Sequence, residues 1–188
     1  VLEIRAKIEA VQKKDMNGLL TWGDHNLIHI SAVSNVQSQI TSRMSQINAP
    51  GWLKDTMEAS CKRPTLLGNI FSNQATPEYY EGMLGKTKAE LLKLVSELST
   101  IKKNYEPEIR DLLLDGISLQ VVLDKFMDAG EQMVANNRVR SIMAAHQTGI
   151  MLLATMKQIK LQCADYVQRI DDLYTTTLPN WKIAFKSR

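Results

Sequence analysis

The sequence predicts an all-α protein: an elongated antiparallel helical bundle with long coiled-coil-like helices. Nine glycines and five prolines in 188 residues are too few for the many turns of a β sandwich or barrel. Apolar residues recur three and four positions apart along most of the chain, as on one face of a helix. Two of these stripes, Leu84–Tyr105 and Ile142–Leu173, alternate threes and fours for many turns. That rhythm is typical of long helices packed side by side.

The first half of the chain predicts three helices and a loop. Spaced apolar residues predict a short amphipathic helix in residues 2–15. Thr21–Asp24 has the spacing of a helix start, with a threonine cap and an acid three positions later. From there we expect one helix of about seven turns, ending just before Pro50. A short helix follows in residues 50–62, and glycine, proline and asparagine predict a flexible connection around residues 63–76.

The second half predicts a helix that Pro107 breaks or kinks, a short piece after it, and two more helices. Thr76–Glu78 supplies an N-cap threonine, a proline at the first helical position and an acid in the first turn. Pro107 is expected to break or kink this helix, and Asp115–Gly116 to end the following short piece. Ser118 is expected to cap a helix that reaches Asn136–Asn137. The last and longest helix should stop near Leu178–Pro179.

Composition bounds the class of protein. Lys and Arg number 23 against 20 Asp and Glu, a net charge of +3 that does not suggest a nucleic-acid binder. The two cysteines, Cys61 and Cys163, suit a reducing compartment. With no apolar run of membrane-spanning length and no signal-peptide pattern, we expect a cytoplasmic protein. Residues 1–188 are expected to form a single helical domain.

No constellation of residues predicts catalysis, a metal site or a cofactor. His25 and His29 lie four apart, as two zinc ligands would, but no third ligand stands at a supporting spacing. Cys61 precedes Lys62–Arg63, which could activate its thiol, although a plain thiol near a helix end is the simpler interpretation. Cys163 lies on the apolar stripe of the last helix and is interpreted as a small core residue. We therefore expect a protein that is not an enzyme.

Arg138 and Arg140 are the candidate anion-binding residues. They are predicted to open the longest helix, where backbone N–H groups and the helix dipole favour an oxyanion. The competing interpretation is that both arginines belong to a solvated helix face that binds nothing specific.

Three short motifs, in order, resemble the TelA-like family of toxic anion (tellurite) resistance proteins. The first is Trp22–Gly23 followed by Ile30–Ser31 and Ser34. The second is Phe126–Glu131, similar to the apolar-x-Ala-Gly-Glu stretch of the family. The third is Thr177–Lys182, similar to the Leu-Pro-x-Trp-Lys ending of a long helix, whose tryptophan can fold back onto the bundle. Family members are considerably longer. This sequence could therefore be a part of a longer chain or a short member of the family.

The resemblance implies a non-enzymatic, cytosolic, helical stress-resistance protein that acts through protein partners, including envelope-associated ones. The family has no catalytic residues to carry over. One alternative is a coiled-coil protein of a scaffold or of the inner membrane surface with no role in tellurite chemistry. It would touch anionic lipid through basic residues of the last helix and the end of the chain: Lys157, Lys160, Lys182, Lys186 and Arg188. A third hypothesis is direct oxyanion chemistry at Cys61 or at Arg138 and Arg140. Two arrangements of the apolar stripes stay open. The chain could self-associate through an exposed stripe, or the stripes could pack against each other within one chain.

Overall fold

The regular secondary structure of the described part of the protein is all helical. The structure is a computed structural model, and it describes residues 2–61, 76–126 and 129–187. Within those ranges there is no β-strand, so the predicted all-α class is confirmed. The connection expected around residues 63–76 lies outside the described residues except for Thr76. The Thr76 hydroxyl accepts a hydrogen bond from the Tyr79 N–H at 3.3 Å, which confirms the predicted N-cap.

Eight α-helices and one π-helical turn make up these ranges. In chain order they are α1 (Leu2–Gln12), α2 (Met16–Leu20), α3 (Asp24–Ser31), α4 (Val33–Ile47), α5 (Ala49–Cys61), α6 (Pro77–Phe126), α7 (Ala129–Asp172), the π turn (Leu173–Thr177) and α8 (Leu178–Lys186).

The chain divides into two compact units. Unit 1 consists of Val1–Gln39 and Ser99–Lys157, and unit 2 of Ile40–Leu98 and Gln158–Arg188. The division falls inside α4, α6 and α7. Single-domain behaviour of residues 1–188 stays a prediction.

Residues of the predicted stripes are buried in the core of each unit, and in unit 1 they are joined by apolar residues of α6 beyond Tyr105. In unit 2 the buried side chains of the long helices include Leu84, Leu91, Leu94, Leu98, Ile159, Cys163 and Ile170. In unit 1 they include Ile109, Leu112, Leu119, Ile142, Leu152 and Met156. Burial of one such large apolar side chain is worth about 1.5–3 kcal/mol. The stripes therefore supply the main stabilisation of both cores.

The helix predicted from Thr21 to Pro50 is wrong, because α3 and α4 are separate helices and α5 already begins at Ala49. Thr21 ends α2 instead of starting a helix, and its N–H and hydroxyl both donate to the Asn17 carbonyl. Gly23 adopts φ +77°, a left-handed conformation that glycine tolerates best, and turns the chain into α3. Short polar residues and glycine mark helix ends as well as helix starts, which explains the error.

The helix ends predicted within α6 are absent, because one helix runs from Pro77 to Phe126. A kink at Pro107, the alternative to a break there, stays a prediction. Pro107 lies inside the helix on its exposed side, where the carbonyl that loses its N–H partner can turn toward water. A Cβ at Gly116 would lie 2.7 Å from the Met143 Sδ, so this glycine permits close approach of α7 and does not end a helix. Ser118 is not a cap, since its hydroxyl donates to the Leu114 carbonyl one turn earlier at 2.6 Å.

The predicted ends of the last helix need correction too. Asn136–Asn137 lies inside α7, which begins at Ala129. At the other end, Pro179 does not stop the helical path, because α8 begins at Leu178. The π turn precedes this proline, which occupies the first turn of α8, where its missing N–H costs little.

We predict that Gly149→Ala lowers the free energy of unfolding by about 1–2 kcal/mol, despite the better helix propensity of alanine. A Cβ there would lie 2.5 Å from the Cγ1 of buried Ile109. The matched control is Gly82→Ala, because a Cβ at Gly82 meets nothing within 4 Å. Gly82→Ala should stabilise by about 0.5–1 kcal/mol in urea unfolding followed by circular dichroism. Equal effects of the two substitutions would contradict this packing.

Candidate functional site

The candidate site is a groove in unit 2 beside the π turn. Its volume is about 390 Å³. The described residues that line it come from α5, the π turn and α8: Ser60, Thr176, Thr177, Asn180, Trp181 and Ala184. The third motif of the family resemblance, Thr177–Lys182, therefore contributes three of these six residues.

The π turn places the threonines at the groove. Across it, the Leu178 N–H donates to the Leu173 carbonyl, five residues back, instead of the usual four. The hydroxyls of Thr175 and Thr176 donate to the Asp172 carbonyl at 3.2 and 2.5 Å. Such hydrogen bonds compete with the regular helical ladder and accompany its local widening. Single π turns inside helices frequently mark functional sites.

A cluster of aromatic rings supports Trp181. Its ring centroid lies 5.6 Å from that of Tyr80 on α6, so the predicted folding back of this tryptophan is confirmed. Tyr80 contacts Tyr79 edge-on at 5.5 Å, and Tyr79 contacts Trp52 of α5 at 6.5 Å. Burial raises the pKa of the Tyr80 hydroxyl, so it stays neutral. The cluster thus joins α5, α6 and α8 within unit 2.

Polar contacts on Glu81 join α6 to the π turn and α8. The Tyr174 hydroxyl donates to the Glu81 carbonyl at 2.7 Å, and the Lys182 ammonium binds the Glu81 carboxylate at 2.7 Å. Burial raises the pKa of the Tyr174 hydroxyl, which therefore remains a donor. Lys182, proposed from sequence as a contact for anionic lipid, is thus engaged inside the protein.

The groove is suited to recognition. The six lining side chains named above are neutral, and they offer hydroxyl and amide groups for hydrogen bonds beside one indole ring. Polar atoms of this kind, next to an aromatic surface, fix the orientation of a bound partner. Sequence reasoning found Thr177–Lys182 only as a motif, because neither the π turn nor the approach of α5 is visible in the spacing.

The structure does not place Arg138 and Arg140 at a helix start. They lie nine and eleven residues after the first residue of α7, so this premise of the anion-site prediction is wrong. Arg138 donates to the Trp22 carbonyl at 2.7 Å and binds the Asp24 carboxylate. Arg140 is exposed, about 200° away around the helix, so the two side chains are not brought together. Anion binding by either arginine stays a prediction.

A buried polar cluster in unit 1 was missed from the sequence. The Asp115 carboxylate accepts hydrogen bonds from the Lys7 ammonium at 2.5 Å and the Asn26 amide at 3.0 Å. Its carbonyl accepts the Trp22 indole N–H at 3.3 Å, and Gly23 packs beside it. The sequence signal for this cluster was an acidic residue within the apolar stripe of α6. It was overlooked because Asp115–Gly116 was interpreted as a helix end. The Trp22–Gly23 motif therefore has a structural role here.

The cysteines and histidines give no composite site in the described residues. There, no three His, Cys, Asp or Glu side chains gather closely enough to hold a metal ion. His25 is exposed, and the side chain of His29 lies outside the described set. Cys163 is buried as predicted, with its Sγ 3.8 Å from the Met44 Sδ, and burial raises the pKa of its thiol. Cys61 is exposed at the end of α5.

Comparison with known proteins gave no relatives: no family model, no curated protein and no solved structure matches this chain. Within residues 2–61, 76–126 and 129–187, no helix is both long enough and apolar enough to cross a bilayer. The second motif of the resemblance falls partly outside these ranges, at residues 127–128.

We predict that Asp115→Ala lowers the free energy of unfolding by about 3 kcal/mol, because it leaves the Lys7 ammonium and the buried Asn26 amide without their acceptor. Asp111→Ala is the matched control, an exposed aspartate one turn earlier on α6. It should change stability by less than about 0.5 kcal/mol. A loss at Asp115 no larger than that at Asp111 would show that the cluster does not hold α1 and α3 to α6.

Proposed function

We propose that this protein is a non-enzymatic helical module of tellurite and toxic anion resistance that works by binding protein partners. It acts in the cytoplasm and, through envelope-associated partners, at the inner face of the membrane. The observation that carries the proposal is the groove of unit 2, whose six lining residues offer hydrogen bonds and an indole ring but no ionisable group.

The neutral lining favours binding over chemistry. Acid–base or nucleophilic catalysis needs an ionisable or activated group within hydrogen-bond reach of the substrate. The groove instead resembles the centre of a protein interface, where aromatic residues supply area and hydroxyl and amide groups supply orientation. Its walls are held by the aromatic cluster and by Glu81, so little ordering is needed when a partner binds.

The resemblance supports the biological setting. Thr177–Lys182, which resembles the closing motif of the TelA-like family, supplies the groove with Thr177, Asn180 and Trp181. Trp22–Gly23, which resembles the opening motif, supports the cluster around Asp115. One motif is thus available for recognition, and the other serves stability.

We further propose that α6 and α7 pack antiparallel as a coiled-coil-like pair within each unit. In unit 1, positions 109 and 116 of α6 adjoin positions 149 and 143 of α7. In unit 2, Lys88 on α6 pairs with Asp171 on α7. In unit 1, residue numbers therefore rise along α6 as those of the adjoining residues fall along α7, as expected of an antiparallel bundle.

We expect Asn180→Lys to abolish tellurite resistance in the cell of origin. The substitution places a charged side chain among the neutral described residues that line the groove and should weaken partner binding about tenfold or more. Asn180 is exposed, so folding should be retained. The measurement is survival on tellurite after deletion of the gene and its restoration by each variant.

The matched control is Gln162→Lys, which makes a similar change in charge on an exposed side chain of α7 away from the groove. Wild type and Gln162→Lys should both restore survival. A deletion that leaves survival unchanged would refute the role in tellurite resistance. Full restoration by Asn180→Lys would refute the role of the groove.

A further inference from the structure

An exposed apolar face runs along α7 in unit 1, on residues that do not line the groove. It consists of Met143, Gln147, Ile150, Met151 and Ala154, defined here as the α7 face. Met143, Ile150 and Met151 are 37%, 43% and 62% exposed. Spacings of four, three and four between positions 143, 147, 150 and 154 place these residues in one line about 16 Å long. The spacing is the one with which a helix receives a second helix.

An apolar cleft opens beside the α7 face. It has a volume of about 200 Å³ and is lined by Gly116, Ile117, Gln120 and Val121 of α6 and by Val139 and Met143 of α7. Met143 belongs to both the cleft and the face. Asp124, one turn beyond the cleft on α6, accepts a hydrogen bond from Gln120 at 2.8 Å. The cleft is therefore suited to an apolar side chain and unsuited to an acidic one.

Positive charge brackets the α7 face. Between Glu131 and Asp165 the sequence of α7 has no acidic residue and four basic ones. Two of these, Arg140 and Lys157, are exposed and share the arc of the α7 face, one beyond each end. They stand about 26 Å apart along the helix axis.

This charge pattern selects among occupants. A second copy packed antiparallel on the face would set Arg140 against Lys157 at both ends, and a parallel copy would set each cation against itself. Like charges so placed oppose self-association. A bilayer would gain only about 1 kcal/mol from each of the two cations and would have to accept Gln147 at the centre of the face. A helix with acids at both ends satisfies the two cations and can hydrogen-bond Gln147.

We propose that the α7 face binds an amphipathic helix of a partner protein, with apolar residues at positions i, i+4, i+7 and i+11 and acidic residues at both ends. One apolar side chain of that helix enters the cleft beside Met143, and its acids pair with Arg140 and Lys157. The inference rests on the proposed function, since it identifies the class of one partner, but it uses a surface separate from the groove.

The test uses the full chain and a fluorescent synthetic helix of about 20 residues with this pattern. The peptide should bind, and binding should weaken when NaCl is raised from about 0.05 to about 0.5 M. The double variant Arg140→Glu with Lys157→Glu should bind at least about tenfold more weakly, and a peptide with terminal lysines should recover that affinity. Ile150→Ser, at an exposed position, should also weaken binding about tenfold.

The matched control is Arg5→Glu with Lys103→Glu, two exposed cations of unit 1 outside the face. It should change affinity less than about threefold. The inference is overturned if the peptide fails to bind, or if the control variant weakens peptide binding as much as the double variant does. It is also overturned if the protein binds anionic vesicles or a second copy of itself in place of the peptide. Failure here, with Asn180→Lys still abolishing resistance, would leave the proposed function standing.

Discussion

The apolar stripes of α6 and α7 are the constraint on which the rest of the structure depends. Helices of 50 and 44 residues cannot keep such stripes in water, so each must cover the other or be covered by the short helices. In unit 1 this coverage is completed by the polar cluster of Asp115, which holds Lys7 of α1 and Asn26 of α3. In unit 2 it is completed by the aromatic rings and by Glu81. The surfaces available for binding are those that this packing leaves exposed.

The core residues and the two surfaces proposed for binding therefore lie on different faces of the same helices. One side of α7 enters the cores through Ile142, Leu152 and Cys163. Its opposite side in unit 1 carries apolar residues bracketed by cations. In unit 2 the helical path widens at the π turn and presents threonine, asparagine and tryptophan at a groove. Both surfaces lie on helices held by buried side chains, so less ordering is needed when a partner binds.

The parts of this fold that depend on periodicity could be predicted from the sequence. The heptad rhythm identified the buried faces of α6 and α7, and Thr76–Glu78 identified a true helix start. Helix ends were harder to predict from the sequence. Pro107 is tolerated inside a helix because it lies on the exposed side, and Gly116 is needed for the close approach of Met143, not for a helix end. Arg138 was assigned to a helix start because the true start of this helix at Ala129 was not recognised, and its partner Asp24 is distant in sequence. The groove depends on a π turn, and no pattern of side chains in the sequence specified one.

The central claim is that this protein binds partners and does not transform an oxyanion. The most direct measurement is the loss of tellurite over time with purified protein and a physiological thiol or nicotinamide reductant. We predict that neither the wild type nor Cys61→Ser reduces tellurite faster than the reductant does without protein. Sustained turnover of many tellurite ions per protein molecule, in either form, would contradict the account.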